Sequence, residues 1–368
     1  MKTAYIWQSE FHADIQQNNM SRVTIKDIAR VLGVNPSTIS RALHDHPDVS
    51  TELKATIKQL AGQMGYKPNQ MAINLRNGKS KTIALIIPEI SMFFFPSVMK
   101  AIEEEAHSKG YNLLVLHSND DIQREIQNAE ICAFTGVEGV LISLTRESFE
   151  TAHLLDLTYS GIPVVYFDKV PNHIEGHKVV VPGKEATFEA VQYLIRENVR
   201  KGRICGFFGD PRLSITQDRV EGFRLALSES ELLFDIRDAF FVNNSQKAEE
   251  AFLALWESDS RPTALYMMSD EVLAGVIKAV HTLKLTIPQD LQLVAISDGH
   301  LPLLLGQNIP FVETSGYTLG KVAVAHLFEV IHGRKTEYET ITIETPFRDL
   351  DFAQISADFS LLPRISTN

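Results

Sequence analysis

Cysteine is scarce: the chain has two in 368 residues, Cys132 and Cys205, both in apolar surroundings. They lack the paired spacing of a zinc site or a disulfide framework and read as buried free thiols in a reducing cytosol. Long apolar runs are missing as well, since none approaches the ~18 residues that a membrane span requires. Near the N-terminus only Ala4-Tyr5-Ile6-Trp7 precedes the polar Gln8, Glu10 and Asp14, too short a run for the apolar core of a signal peptide. A cytoplasmic protein without a membrane partner is the expectation. Equally absent are a G-x-S-x-G elbow, a G-x-G-x-x-G fingerprint and an H-E-x-x-H helix, and His44 and His46 form only an H-x-H in a loop. No catalytic residue, metal ligand or cofactor is therefore nominated. A surplus of positive charge is also lacking. The 35 Lys/Arg against 46 Asp/Glu give -11, which at face value opposes a nucleic-acid partner, because phosphate binding needs cations that displace counterions.

Charge counted by segment reverses that inference. Residues 1–19 carry -1; residues 20–81 carry ten cations against four carboxylates, +6; residues 82–368 carry 24 against 40, -16. A small basic head on a large acidic body is the footprint of a chain that meets nucleic acid through one module. The length and 44% apolar content suffice for two or three domains with sizeable cores.

In the head, Thr24 is placed to cap a helix whose apolar Ile25, Ile28, Ala29 and Leu32 recur at helical spacing, and Gly33 ends it. Asn35 follows as an N-cap and Pro36 as first helical residue, where a missing N–H costs nothing. Ile39, Ala42 and Leu43 give this second helix one apolar side. Ser37, Thr38, Ser40 and Arg41 are left facing outward, hydrogen-bonding groups suited to base edges and phosphates. Ser50 caps a third helix with Leu53, Ile57, Leu60 and Met64 on one face before Gly65. Three short helices with a tight turn between the first two make a helix-turn-helix, although a small dimerisation bundle would share the pattern.

The stretch from Val23 to Leu43, with Val49-Ser50 and Gly65-Tyr66-Lys67-Pro68-Asn69, resembles the DNA-binding head of the lactose/galactose repressor (LacI/GalR) family position by position. By that resemblance Thr24, Asn35, Pro36, Ser37, Thr38, Ser40 and Arg41 belong to the DNA-binding set. Pro36, Ser37 and Arg41 fall on positions that read the major groove, and Thr38 and Ser40 on phosphate-contacting or structural ones. Pro36 has no donor, so base reading would rest on Ser37 and on Arg41, which suits a guanine edge. Asn69 to Arg76, too short for a stable helix alone, resembles the family's hinge helix. Asn69, Ala72 and Leu75 are its DNA-binding residues, with Leu75 as the apolar wedge that kinks a central base step.

From Thr82 onward apolar runs at 83–87, 113–116, 140–142, 164–167, 204–208, 265–268 and 291–296 alternate with amphipathic stretches such as Val98 to His107 and Val272 to Leu283. That alternation implies doubly wound parallel sheets, and about 280 residues implies two lobes. His117, Ser143, Asp168, Asp210, Asp270 and Asp298 end the runs, where open parallel sheets bind ligands. Any one such Asp could instead be the N-cap of the next helix. This body resembles the family's periplasmic-binding-protein-like effector domain, on Gly161 to Val165 with Asp168, Asp218 to Phe223, Ser269-Asp270 with Gly275, and Ile287 to Asp290 before Asp298. The resemblance places Phe95, Asp168, Arg219 and Asp270 at the effector. Pro182-Gly183 and Thr314-Ser315 depart from the family pattern and mark either an unusual effector or a remodelled crossover.

The expected fold is α/β: an N-terminal three-helix helix-turn-helix head plus hinge helix, then a two-lobed type I doubly wound parallel-sheet domain. Its expected division is a flexible extension over 1–19, the head over 20–68, hinge helix and linker over 69–81, the two-lobed effector-binding and dimerisation domain over 82–349, and a tail over 350–368. The expected function is that of a nucleoid-associated transcriptional regulator, a repressor. It would act as a homodimer on double-stranded DNA at a pseudo-palindromic operator, with affinity set by a small, carbohydrate-like effector. A ligand-binding protein of the sugar-receptor type, without a DNA role, is the alternative.

Overall fold

The structure is a computed structural model that describes residues 23–66, 80–90, 92–148, 151–171, 174–198 and 202–349. The hinge positions Asn69, Ala72 and Leu75, the extension 1–19 and the tail 350–368 lie outside the described residues. The chain divides into two units at Lys79 and Ser80.

In the first unit α1 (Ile25–Leu32), α2 (Pro36–Leu43) and α3 (Thr51–Gln63) enclose one small core. Each helix contributes a buried pair: the neighbours Ile28 and Ala29, then Ile39 and Ala42 and Ile57 and Ala61 at helical spacing, with Val49 closing the group from a loop. Gly33 makes the turn at φ +65°, the left-handed region that side chains with a Cβ disfavour, and its N–H bonds the Ala29 carbonyl. Ser50 caps α3 as expected, its Oγ accepting from the Leu53 N–H at 3.3 Å. Two expected caps form differently. The Thr24 hydroxyl donates to the Asp27 carboxylate at 2.7 Å, and that carboxylate also accepts the Thr24 N–H at 3.0 Å. The hydrogen bonds from Thr24 hold the Asp27 carboxyl below its usual range. Asn35 stands at the N-cap of α2, but its side chain makes no cap bond. Its carbonyl accepts the Thr38 and Ile39 amides instead, and Pro36 has no N–H to satisfy.

The second unit holds two six-stranded sheets. The first lobe contains β1 (Thr82–Ile87), β2 (Asn112–His117), β3 (Val140–Ile142), β4 (Val164–Phe167), β5 (His177–Val180) and the late β11 (Thr340–Thr342), in the order β11-β5-β4-β3-β1-β2, all parallel. Its helices are α4 (Phe94–Ser108), α5 (Ile122–Thr135), α6 (Ala152–Tyr159) and α12 (Gly316–Ile331). Odd positions of β1 (Ile83, Leu85, Ile87) join one core with α4 and α12, and even positions (Ala84, Ile86) join another with α5 and α6. Such two-sided burial is why the strand reads as an unbroken apolar run.

The second lobe contains β6 (Ile204–Phe208), β7 (Ala239–Phe241), β8 (Ala264–Met267), β9 (Gln292–Ser297), β10 (Phe311–Glu313) and β12 (Phe347–Arg348), in the order β12-β10-β9-β8-β6-β7, with only β12 antiparallel among the described strands. Here α7 (Gly183–Glu197) packs on α8 (Ser214–Glu229), and α9 (Ser245–Glu257) on α10 (Asp270–Leu283). A short α11 (His300–Leu304) follows β9. The chain passes between lobes three times, after β5, after β10 and between β11 and β12. Of the strands beside these passages, β5 and β11 lie together at one edge of the first sheet, and β10 and β12 together at one edge of the second.

Candidate functional site

On the first unit, Thr24, Asn35, Pro36, Ser37 and Arg41 are exposed and Thr38 and Ser40 partly so, while Ile39 and Ala42 on the opposite side of α2 are fully buried. A two-turn helix thus presents hydroxyls and one guanidinium outward because its apolar residues are consumed by the core. The Arg41 side chain is 52% exposed and lies 3.9 Å from Asp48, itself 62% exposed. A pair so solvated is worth less than about 1 kcal/mol, so Asp48 does not prevent the guanidinium from engaging another acceptor. His44 donates from Nδ1 to the Ser40 carbonyl at 2.7 Å, which fixes its tautomer because a carbonyl only accepts.

In the second unit the C-terminal ends of both sheets face a cavity of about 180 Å³, and Phe95, Asp168, Arg219 and Asp270 all line it. Phe95 and Asp168 come from the first lobe, at the start of α4 and the end of β4; Arg219 and Asp270 come from α8 and α10 of the second. Asp168 has φ +59° and accepts from the Ser143 hydroxyl at 3.1 Å. Burial pushes its carboxyl above the usual range, while Lys169 and Arg219 oppose that shift. Arg219 is only 6% exposed. One terminal nitrogen donates to the Met268 carbonyl at 2.5 Å, and its Nε has no hydrogen-bond partner among the described residues. One turn earlier on α8, the fully buried Thr216 Oγ1 also lines the cavity without a partner.

Both oxygens of Asp270 are engaged: one accepts from the Ser297 hydroxyl at 2.5 Å, the other from the Asp298 N–H at 3.0 Å. It braces the wall formed by 297–298, and burial raises its pKa. Asp298, raised by burial too, joins the lobes. It accepts from the Gly316 N–H at 2.6 Å and from the Ser97 hydroxyl of α4 at 2.9 Å, and contacts His300 Nδ1 at 2.9 Å. The His300 ring stacks on Phe93 of the first lobe at 5.5 Å.

None of Asp168, Asp210, Asp270 and Asp298 is the N-cap of the following helix, and all four line the cavity. His117 is the correction to that set: β2 is an edge strand, and the ring is exposed and away from the cavity. Ser143 acts at one remove, through Asp168. At the two departures from the family pattern, a Cβ at Gly183 would come into contact with Asp218 and the stem of Arg219, and Thr314 lines the cavity while Ser315 caps α12. Sequence reasoning missed Thr216, Glu89, Arg146, Lys169 and Glu271. Glu89, Lys169 and Glu271 stand within a few residues of a strand end, where the same rule would have found them; Thr216 carried no signal beyond its helical spacing from Arg219.

Residues 80–350 match the family described as periplasmic binding proteins and sugar binding domain of the LacI family, and residues 24–69 match bacterial regulatory proteins, lacI family. The catabolite control protein A of Priestia megaterium is 27% identical over 336 residues, 90% of this chain and 98% of its own. The ribose operon repressor of Haemophilus influenzae is 28% identical over 324 residues, covering 87% and 96%. Among solved structures, the lac repressor dimer bound to operator and the anti-inducer ONPF shares the fold with a TM-score of 0.76 at 15% identity, over 88% of this chain and 98% of that one.

Proposed function

Since the chain belongs to the LacI family of bacterial regulatory proteins and is a DNA-binding transcriptional regulator, we propose that it represses as a homodimer on a pseudo-palindromic operator, under control of a small polyhydroxylated effector held between its lobes. The observation that carries the effector half is the buried guanidinium of Arg219, with Nε unpaired beside an unpaired Thr216 hydroxyl at the cavity wall. Buried polar groups in folded proteins are nearly always hydrogen-bonded, so two unsatisfied ones on residues that line the same cavity make a binding surface for oxygen atoms. The cavity is smaller than the roughly 300–1,000 Å³ that drug-sized ligands occupy, which favours a monosaccharide-sized molecule.

Phe95 and Asp168 would hold the ligand from the first lobe and Arg219 and Thr216 from the second, with Asp270 fixing the wall between them. A ligand that touches both lobes favours whichever spacing lets it touch both, and that differential affinity shifts the equilibrium. On the DNA side, Ser37 and Arg41 would read bases, Thr38 and Ser40 would meet phosphates, and Asn69, Ala72 and Leu75 would act in the minor groove. This division is tested by gel shifts on the operator. Arg41→Ala should weaken binding about tenfold to a hundredfold, with loss of preference at a guanine position. A uniform weakening across all sequences would assign Arg41 to phosphate instead.

A further inference from the structure

Among the described residues, seven carboxylates but only three cationic side chains line the cavity. Four of the seven are committed: Asp120 to Arg146, Asp210 to Arg212, and Asp270 and Asp298 to the hydrogen bonds of the wall and the lobe junction. Of the rest, Asp168 accepts from the Ser143 hydroxyl and Glu271 from the Ser245 backbone, but Glu89, Asp168 and Glu271 form no ion pair closer than 4.0 Å among the described residues, and with Lys169 and Arg219 as the cations the set is one positive charge short. Glu89 follows β1 in the first lobe and Glu271 opens α10 in the second, so this surplus is shared across the cleft. Burial, and next the charge of Glu89, hold the Glu271 carboxyl above its usual range.

We propose that the effector carries a protonated amine beside its hydroxyl groups, as an amino sugar does, and that Glu89 and Glu271 hold this amine from opposite lobes while Arg219 and Thr216 take the hydroxyls. The inference rests on the cleft reading above and narrows it to a charge class. Like charges facing each other across a cleft resist its closure, and a cation between them turns that repulsion into attraction. A neutral sugar leaves the repulsion in place. A sugar phosphate, bringing about 1.5 to 2 negative charges, adds to it. The ligand's charge therefore decides whether the lobes approach as well as whether the ligand fits.

The test is a thermal-shift panel on the full chain at pH 7, using glucosamine, galactosamine and mannosamine, their N-acetyl forms, the parent hexoses and the hexose 6-phosphates. An amine should raise Tm and bind about tenfold or more tightly than its parent hexose, with N-acetylation or phosphorylation removing the gain. Glu89→Gln and Glu271→Gln should each reduce the preference for amine over hexose. The proposal is overturned if no amine shifts Tm, if a phosphate or neutral hexose shifts it as much, or if both variants keep the preference. A neutral or phosphorylated ligand whose shift is lost in Arg219→Ala would sink the amine and leave the cleft standing. A shift that survives Arg219→Ala, Glu89→Gln and Glu271→Gln alike would remove the cleft reading itself.

Discussion

His177 on β5 and His326 on α12 meet inside the first lobe, Nδ1 to Nε2 at 2.9 Å, both about 5% exposed or less. One ring donates to the other, so the pair is stable with both rings neutral. Burial lowers both pKa values; for His177 the neighbouring His326 lowers it further, and Glu339 partly opposes both shifts. In the unfolded chain each ring titrates near 6.5, so between that value and the depressed folded one the unfolded state binds more protons. Stability is therefore full above about pH 6.5 and falls as the pH drops below it. Denaturant melts from pH 8 to 5 should show this slope, and His326→Gln should flatten it; an unchanged slope would assign the acid sensitivity to other groups. Neither histidine stood out in the sequence, because nothing in the order of residues says that positions 149 apart share a hydrogen bond. Asp168 and Arg219 were legible because each sits at a strand end or within a family landmark. Glu89 and Glu271 also follow strand ends and were open to the same rule, but nothing in the order of residues says that two separately folded lobes bring them to one cavity.

At the scale of elements, strands buried on both faces were the easiest to read: the apolar runs 140–142, 164–167 and 204–208 are β3, β4 and β6 residue for residue. The strands that escaped, β5, β7, β10, β11 and β12, span two to four residues, and each holds an edge or the position next to it. With a solvated side or end they have no long apolar signature to display. Helix pairing was also hidden, as it depends on one small residue. At Gly275 on α10 a Cβ would lie 2.0 Å from the Ser245 carbonyl oxygen at the start of α9, a backbone atom that cannot swing aside. Gly275→Ala should cost about 2–3 kcal/mol, visible as a lowered urea midpoint with an unchanged m-value. A loss below about 0.5 kcal/mol would mean that the two helices separate freely.

For the molecule as a whole, the charge contrast between head and body survives in sharper form. Within residues 23–66 five cations face four carboxylates, so the helices themselves are close to neutral. Most of the +6 belongs to the segments flanking them. Ser97 of α4 donates across the junction of the two lobes to Asp298, and Ser97 itself is not among the residues that line the cavity. Ser97→Ala should loosen the junction and enlarge the radius of gyration of the ligand-free protein in X-ray scattering, leaving the folded content unchanged by circular dichroism. An unaltered radius would show that the remaining partners of Asp298 suffice. The three passages between lobes run together: the Ile343 N–H bonds the Val180 carbonyl at 3.0 Å, and the Glu313 N–H bonds that of Pro346 at 2.9 Å. Two bodies tied by one strand can swivel in every direction, whereas a triple tether laced along a common edge leaves a single rotation, as pins do for a door. Ligands of unlike shape would then all be reported along one coordinate, differing in how far the lobes turn and not in how they turn.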